Sequence, residues 1–280
     1  MTINKRQKEI LREIILHCIL IIFSSIFLFP FVWLLSTSLK TEEQLFGFPP
    51  KIIPNPVRWR NYTDMLQFLP FFKFLLNTVY VTAMTIIGVL FSSTLTAFGF
   101  ARLKFPGRDL LFLILLGTMM LPYQVTMVPL YLTYSRLNWI DSYKPLWVSS
   151  FFGWSFYIFL LRQFFMTIPK ELEDAAKIDG CSYIMIYYKI MLPLIKPALA
   201  TVAIFSFMGA WNDFIGPVIY LNSTEKLTLS VGLRLFQQQY GGYFQMMMAA
   251  ATFMTIPVIL IFFFAQKYFI QGIVLTGLKG

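Results

Sequence analysis

Residues 171–200 read ELEDAAKIDGCSYIMIYYKIMLPLIKPALA, a charged segment between two apolar runs. Pro169, just before it, suits the first turn of a helix, because the missing backbone N–H would have no partner there. The acids that follow favour the positive end of the helix dipole. Gly180 can end this helix, and Ser182 can cap a second helix that runs to about Met191. The segment therefore predicts a hairpin of two short helices, too charged to lie within hydrocarbon.

One face of the first predicted helix is small enough for close approach by another protein. Helical spacing brings together Leu172, Ala175, Ala176 and Asp179. On this basis the segment is interpreted as a docking element for a partner protein. A solvated loop remains the alternative interpretation.

The composition of the chain is that of a protein solvated by lipid. Of its 280 residues, 58% are hydrophobic and 13% are charged. Soluble domains carry about 25% charged residues, so this chain cannot cover a water-facing surface. The net charge of +10 fits basic residues at the cytoplasmic ends of helices, beside anionic lipid headgroups. Nucleic acid is therefore not expected as a partner.

Six apolar runs are long enough to cross a bilayer as helices, which takes about 20 residues each. They are residues 14–39, 74–101, 110–132, 145–165, 197–221 and 246–270. The first run is too long for a secretion signal and lacks a cleavage site. We predict an all-α membrane protein with six transmembrane helices and the charged hairpin between spans four and five. The predicted layout is an N-terminal segment 1–13, a six-span domain 14–271 containing the segment 169–193, and a tail 272–280.

The distribution of basic residues predicts the orientation. Alternating the loops places fourteen of the 23 Lys and Arg residues on the side of the N-terminus and nine on the other side. Basic loops stay in the cytoplasm, so both termini and the charged segment are predicted to be cytoplasmic. The first outer loop holds five prolines between residues 49 and 70. They predict an extended chain followed by a short helix near residues 61–66.

The chain lacks the motifs of an ATPase or a hydrolase. No G-x-x-x-x-G-K-[ST] sequence is present, so any ATP and Mg²⁺ are expected on partner chains, and no cofactor is expected on this one. No G-x-S-x-G or H-E-x-x-H motif and no Cys–His pair occurs either. Two cysteines and one histidine offer no set of metal ligands. The chain is therefore expected to be non-catalytic.

Polar residues within the apolar runs are candidates for a substrate path. Asp213 is the one acid well inside a run, and it follows Trp211 and Asn212 in GAWNDFIGP. Ionisable groups in a membrane usually face a cavity or a partner. Gln124, between two prolines, and Asn77 complete the predicted path. A polar network between helices, without contact to substrate, is the alternative.

The DAAKIDG and KIMLP stretches resemble the EAA motif of permease subunits in ATP-binding-cassette (ABC) importers. The matching positions are Asp174, Ala175, Ala176, Gly180, Ile190, Leu192 and Pro193. Asp174 stands where the family usually has Glu, and the neighbouring Glu173 is a possible substitute. The resemblance implies a coupling helix that docks into a cleft of the cytoplasmic ATPase. The contact residues it implies are Glu173, Asp174, Ala175, Ala176, Asp179 and Gly180.

Further stretches resemble the carbohydrate-uptake branch of this family, in particular the smaller permease of maltose-type importers. They are NYTDML, LPYQVTMVPLY, AWNDF and the C-terminal QKYFIQGIVLTGLKG. The resemblance implies a homologous second permease, two ATP-binding subunits and an extracytoplasmic solute-binding protein as partners. It also implies a multi-pass protein of a prokaryotic cell membrane that carries a sugar or an oligosaccharide.

Three alternatives to a sugar permease are weaker. Glycerol 3-phosphate or another polyol is the nearest alternative substrate, but a phosphate ester favours Arg or Lys in the cavity, and no run has a basic residue near its centre. An ion-coupled carrier or channel would need intramembrane charge pairs or ring-forming repeats, and it would leave the charged hairpin without a purpose. A membrane-bound enzyme ranks third.

Overall fold

The computed structural model describes residues 5–238 and 243–277, and these two stretches contain helices and connecting turns without a strand. The all-α class predicted from the sequence is confirmed. Helices α1 to α8 are Lys5–Ser38, Glu42–Leu45, Arg60–Phe68, Phe71–Arg102, Arg108–Thr118, Tyr123–Arg136, Lys144–Trp147 and Ser155–Thr167. Helices α9 to α15 are Lys170–Ile178, Tyr183–Ile186, Leu192–Leu194, Lys196–Trp211, Ile215–Tyr220, Leu229–Gln238 and Phe244–Gly277. The first four residues of the predicted N-terminal segment and the last three of the predicted tail lie outside the described residues.

Within the described residues, three helical stretches are long and apolar enough to cross a membrane: Glu9–Ser38, Phe71–Arg102 and Phe244–Gln266. Three further pairs of helices meet the same test only if each pair is one bent span. The chain turns by 95° between α5 and α6, by 74° before α9 and by 79° before α12. The predicted count of six spans is therefore reached only if every bent pair crosses the membrane once.

Two of the predicted runs, 110–132 and 197–221, are each divided into two helices, and a third, 145–165, is divided into α7, a turn of 3₁₀-helix at Val148–Phe152 and α8. Pro122 precedes α6, and a proline disfavours helical geometry in the residue before it. In the second run α12 ends at Trp211 and α13 begins at Ile215. A run of apolar residues indicates affinity for lipid but does not locate such breaks, so these three single-helix predictions were wrong.

The first compact unit comprises residues 1–69 and 233–255. Helix α3 confirms the short helix predicted near residues 61–66. Its fully buried Asn61 donates from Nδ2 to the carbonyl oxygens of Ser38 and Lys40, at 2.9 and 2.8 Å. These bonds supply donors to carbonyls at the end of α1, because the last carbonyls of a helix have no partner within it. No described residue buries any part of the most apolar stretch of α1.

The second unit comprises residues 70–232 and 256–280, and α4 lies at its centre. Helices α8 and α12 pack along α4, with α7 and the following turn of 3₁₀-helix, Val148–Phe152, near its middle. The core includes Val89 and Phe98 of α4 and Leu161 and Phe165 of α8. The charged segment adds Ala176, Ile186 and Met191 to this core. The segment is thus packed against the helices, and the solvated-loop interpretation does not hold.

A close approach at Gly88 fixes the middle of α4. A Cβ at this position would lie 2.6 Å from the Phe151 ring and 3.1 Å from the Ser150 carbonyl carbon. Next to it, Ser92 Oγ donates to the Ser150 carbonyl oxygen at 2.8 Å. Small side chains let helices approach closely where lipid gives no hydrophobic drive for their association. Gly88 is therefore required by packing against the chain itself.

We expect opposite effects of alanine at the two glycines in the middle and end of α4. Gly88→Ala should destabilise the chain by about 1–3 kcal/mol because the added methyl group overpacks the Phe151 contact. Gly99→Ala should be neutral or stabilising by up to about 1 kcal/mol, because alanine is the better helix former and a Cβ there meets no atom within 4 Å. Thermal unfolding of the purified chain in detergent measures both variants. Equal effects at the two sites would contradict the packing role.

Candidate functional site

The charged segment is built as its sequence predicts up to Ile186. Helix α9 ends before Gly180, whose φ of 81° is in the left-handed region. The backbone N–H groups of Gly180 and Cys181 donate to the carbonyls of Lys177 and Ala176, at 3.0 and 2.9 Å. Ser182 Oγ accepts from the Met185 N–H at 3.3 Å, which caps α10. Gly180 therefore ends α9 and Ser182 caps α10, as the sequence predicts.

Beyond Ile186 the chain departs from a regular α-helix. Residues Tyr187–Met191 form a turn of π-helix, and α11 follows directly. Pro193 lies within α11 and cannot donate to the carbonyl four residues earlier, so the regular hydrogen-bond pattern cannot continue through it. The second predicted helix, to about Met191, therefore begins as α-helix and ends as a turn of π-helix, and the helical chain continues through α11 to Leu194.

The faces of α9 differ from the predicted ones. Ala176 is 6% exposed and belongs to the core, whereas Ala175 is exposed. Glu173 lies one turn before Ala176 and is buried with it. The predicted small surface therefore lacks Ala176, because successive helix residues point about 100° apart and the core lies on the Ala176 side.

An apolar patch with an acidic edge covers the outer face of the segment. Ile178, Ile184 and Tyr188 are 87%, 80% and 70% exposed. Asp174 lies on the same side of α9, with 68% of its side chain exposed. We call these four residues, together with Tyr183, the coupling surface. Large apolar side chains exposed to this extent on a charged segment indicate a site for a partner.

Glu173 and Asp174 point in different directions. The Glu173 carboxylate lies 2.7 Å from Lys177 Nζ and 3.8 Å from Arg102 Nη1, with 7% of its side chain exposed. Asp174 has an ion pair of 3.8 Å with Lys177 and is otherwise exposed. Glu173 is thus held inside the chain and is not placed to substitute for Asp174 on the outer face. Asp179 and Gly180 are exposed at the end of α9.

A cavity of about 350 Å³ lies within the second unit, between α4, α12 and α13. Its walls carry rings and hydroxyl groups from several helices. They include Thr85, Tyr123, Tyr134, Trp154, Tyr157 and Ser206, together with the carboxylate of Asp213. Rings can pack on the C–H faces of a ligand while hydroxyl and carboxylate groups meet its polar edge.

Asp213 occupies the break between α12 and α13. Its Oδ1 accepts from the Gly216 N–H at 3.1 Å, and its backbone carbonyl accepts from Ser230 Oγ at 2.5 Å. A Cβ at Gly216 would collide with Asp213 Oδ2, so only glycine admits the carboxylate at this distance. Asp213 therefore accepts a hydrogen bond from a backbone N–H at the break between the helices, and it also lines the cavity.

Of the five predicted path residues, Asp213 alone lines the cavity. Trp211 is buried and stacks on Phe207 with 5.2 Å between ring centroids. Asn212 Nδ2 donates to the carbonyl of Met208 at 2.9 Å, in its own helix. Gln124 is exposed on α6. Asn77 Nδ2 donates at 2.9 Å to two backbone carbonyls of the loop at residues 221–228.

The loop at residues 221–228 is also held by Asp141, which the sequence analysis did not identify. The Asp141 carboxylate accepts from the N–H groups of Asn222 and Ser223, both at 2.9 Å, from Ser223 Oγ and from Lys226 Nζ at 2.8 Å. The hydrogen bonds from Lys226 and Ser223 hold the pKa of this carboxyl well below its usual range. No motif links residues more than 80 positions apart, and the positive φ of Asp141 has no sequence signal of its own.

The comparison with known families assigns the chain to a class. Residues 88–274 match the family described as the binding-protein-dependent transport system inner membrane component. The chain belongs to this family, as a permease subunit of an ABC transporter, and the resemblance drawn from the EAA-like motif is confirmed. The chain is accordingly a multi-pass membrane protein.

Relatives and solved structures extend the match to almost the whole chain. The arabinooligosaccharides transport system permease protein AraQ of Bacillus subtilis (strain 168) is 36% identical over 260 residues, which is 92% of either chain. The trehalose/maltose transport system permease protein MalG of Thermococcus litoralis is 30% identical over 98% of this chain and 99% of that one. A crystal structure of a bacterial ABC transporter involved in the import of the acidic polysaccharide alginate contains a chain with a TM-score of 0.82 and 25% identity, covering 96% of this chain and 100% of that one.

The low pKa of Asp141 predicts how the loop at residues 221–228 responds to charge and pH. A carboxyl whose pKa is lowered in the folded state stabilises the fold at pH values above its unfolded pKa of about 3.9. This stabilisation is lost only as the pH falls through the lower, folded-state pKa. Hydrogen exchange in the loop, corrected for intrinsic rates, should therefore be the same at about pH 8 and about pH 5. Asp141→Asn should accelerate it roughly tenfold by removing charge-assisted hydrogen bonds.

Glu225→Gln is the matched control for this measurement. Its carboxylate lies in the same loop, 2.6 Å from Lys73 Nζ, but 76% of its side chain is exposed. Exposed ion pairs contribute little, so exchange should change less than twofold or so. Equal exchange in both variants would exclude Asp141 as the residue that holds the loop.

Proposed function

We propose that this chain is one of two membrane permeases of an importer that moves a sugar or an oligosaccharide inward. ATP is hydrolysed by two separate subunits on the cytoplasmic side, where MgATP binds. An extracytoplasmic solute-binding protein delivers the sugar, and a homologous second permease forms the other half of the path. The observation that carries the proposal is the coupling surface, an exposed apolar patch on a segment that the core holds in place.

Asp174 is the residue that we assign to the main contact with the ATPase. It occupies the acidic position of the EAA-like motif and is exposed at the edge of the apolar patch. Ile178, beside it, offers the largest exposed fraction of the patch. An acid and an apolar anchor suit a cleft with a basic group at its rim. Glu173 is assigned no direct contact because its carboxylate is buried.

This docking orients the chain in the membrane. ATP is cytoplasmic, so residues 169–193 and both termini lie on the cytoplasmic side, as the positive-inside rule also favours. Closure of the ATPase subunits moves the coupling surface, and the transport path changes between inward-facing and outward-facing states. ATP and the binding protein drive the change because each binds the two states with different affinity.

A carbohydrate is the substrate class that the cavity and the relatives favour. AraQ and MalG are named for arabinooligosaccharide and trehalose/maltose transport. The cavity combines five aromatic side chains with hydroxyl groups and the Asp213 carboxylate. No basic side chain is among its lining residues, which disfavours a phosphate ester such as glycerol 3-phosphate. Asp213 is the residue of this chain that we assign to the path.

The coupling surface can be tested by co-purifying the ATPase with the chain and its permease partner. Gly180→Ala introduces only the backbone strain of a left-handed residue, about 1 kcal/mol, since a Cβ meets no atom of the chain. Gly180→Arg adds a large side chain that would collide only with a bound partner protein. We expect Gly180→Ala to retain most of the ATPase and Gly180→Arg to lose it, together with sugar uptake.

The acidic contact is tested in the same assay. Asp174→Ala should lower the retained ATPase by roughly tenfold, as expected for the loss of a charge-assisted contact at an interface. Glu171→Ala, which removes another exposed carboxylate from α9, should not. The isolated chain should show no ATP hydrolysis. Full retention in both Gly180→Arg and Asp174→Ala would exclude the coupling role of this surface.

Asp213→Asn separates the path from a structural role. The asparagine Oδ1 can still accept from the Gly216 N–H, so the break between α12 and α13 should survive. We expect the importer to assemble and hydrolyse ATP but to import arabinooligosaccharide and maltose at least about tenfold more slowly. Asn212→Ala, at the exposed neighbour, should import normally. Failure of Asp213→Asn to assemble with its permease partner would instead favour the polar-network interpretation.

A further inference from the structure

Arg102, the last residue of α4, is buried at the point where three helices end. Only 3% of its side chain is exposed. Its Nη2 donates to the carbonyl of Phe165 and, at 2.6 Å, to that of Ile168. These carbonyls belong to the end of α8, where a helix has unpaired acceptors and the negative end of its dipole. A buried guanidinium therefore joins the ends of α4 and α8.

The same guanidinium reaches the buried face of α9. Arg102 Nη1 lies 3.8 Å from Glu173 Oε2, and both side chains are almost fully buried. The other cation at Glu173 is Lys177, at 2.7 Å. Lys177 lies on α9 itself, so its ion pair cannot attach α9 to another helix. Arg102 provides the ionic attachment of α9 to α4.

Because both charges are buried, the Glu173 carboxylate depends on Arg102 as its partner. A charge that is buried without its partner is strongly unfavourable, more so than a pair that is never formed. Without Arg102, Glu173 would keep only Lys177, whose side chain is 38% exposed. The carboxylate could then regain water only if α9 rotated and carried Glu173 outward. That rotation would also turn Asp174 and Ile178, the coupling-surface residues that α9 carries.

Helix α4 connects this attachment to the cavity. It continues without a break from Arg102 back to the cavity-lining residues Val89, Thr85 and Thr78. At 1.5 Å per residue, Thr85 lies about 25 Å along the helix from Arg102. A rigid helix that touches both sites is a physical carrier of coupling between them.

We propose that Arg102 is a positioning residue that fixes α9 to α4, so that movement of the coupling surface reaches the cavity along a single helix. The inference rests on the proposed function and adds the element that transmits the motion. The ion pair between Arg108 and Asp109, at 2.9 Å at the start of α5, has one partner 76% exposed. Within the described residues the Arg108 guanidinium donates to Asp109 and to the Leu103 carbonyl, and not to α8 or α9. This ion pair serves as the matched control.

The test uses the assembled importer, with its second permease, ATPase subunits and binding protein, and needs no knowledge of the sugar. Thr85→Cys is introduced after replacement of the two native cysteines, Cys18 and Cys181. N-ethylmaleimide labelling of this cysteine is timed without nucleotide and after trapping with MgATP and vanadate. In the otherwise unchanged importer, trapping should alter the labelling rate by about fivefold or more, the lower range of coupling between sites.

Arg102→Gln should reduce this change to less than about twofold while vanadate still traps nucleotide and the ATPase stays bound. Arg108→Gln should keep the full change. A residue that only stabilises the fold would lower the yield of importer and leave the labelling ratio unaltered. A full labelling change in Arg102→Gln would therefore overturn the inference and leave the proposed function intact.

Glu173→Gln keeps the inference testable if Arg102→Gln does not assemble. The amide has the same size and can still accept a hydrogen bond, but it carries no charge. We expect the same loss of the labelling change. A full change in Glu173→Gln, or failure of both variants to assemble, would overturn the positioning role. An unmodified importer that binds no ATPase would instead overturn the proposed function itself.

Discussion

Hydrocarbon and a packed core offer no water, so a helix end buried in either has to be satisfied by the protein. Arg102 closes the end of α8, Asn61 closes the end of α1, and Asp213 bridges the break between α12 and α13. Each of these side chains contacts backbone groups that would otherwise be unpaired. The few polar residues within the apolar chain thus mark the places where helices stop, and the positions of those stops determine how the remaining helices pack.

The long helices could be predicted from the sequence because a continuous apolar run needs only lipid around it. Gly180 and Ser182 could be predicted as well, since a left-handed turn and a helix cap depend on the residue itself. The breaks in three other runs could not be located. The break after Trp211 depends on Gly216, which leaves room for the Asp213 carboxylate, and on Ser230, which binds its carbonyl. Such contacts arise only once distant parts of the chain are folded.

The site could be predicted as a segment but not residue by residue. Successive residues of a helix are rotated by about 100°, so Glu173 and Asp174 cannot share a face. Which of them turns inward depends on where Arg102 lies, and nothing in the motif records that. The path residues show the same limit. A polar residue in an apolar run can face a ligand, as Asp213 faces the cavity, or can satisfy backbone nearby, as Asn77 and Asn212 do.

Helix α1 differs from the others in that no described residue covers its apolar stretch. The side chains of this stretch therefore do not depend on packing against the described part of the same chain during synthesis. The helix can therefore leave the insertion machinery for the bilayer before α4 has been translated, with lipid alone as its solvent. Its direction of insertion then constrains every later segment, because each following span must cross the opposite way. In this sense α1, whose apolar stretch no described residue covers, determines the orientation of the spans that follow it.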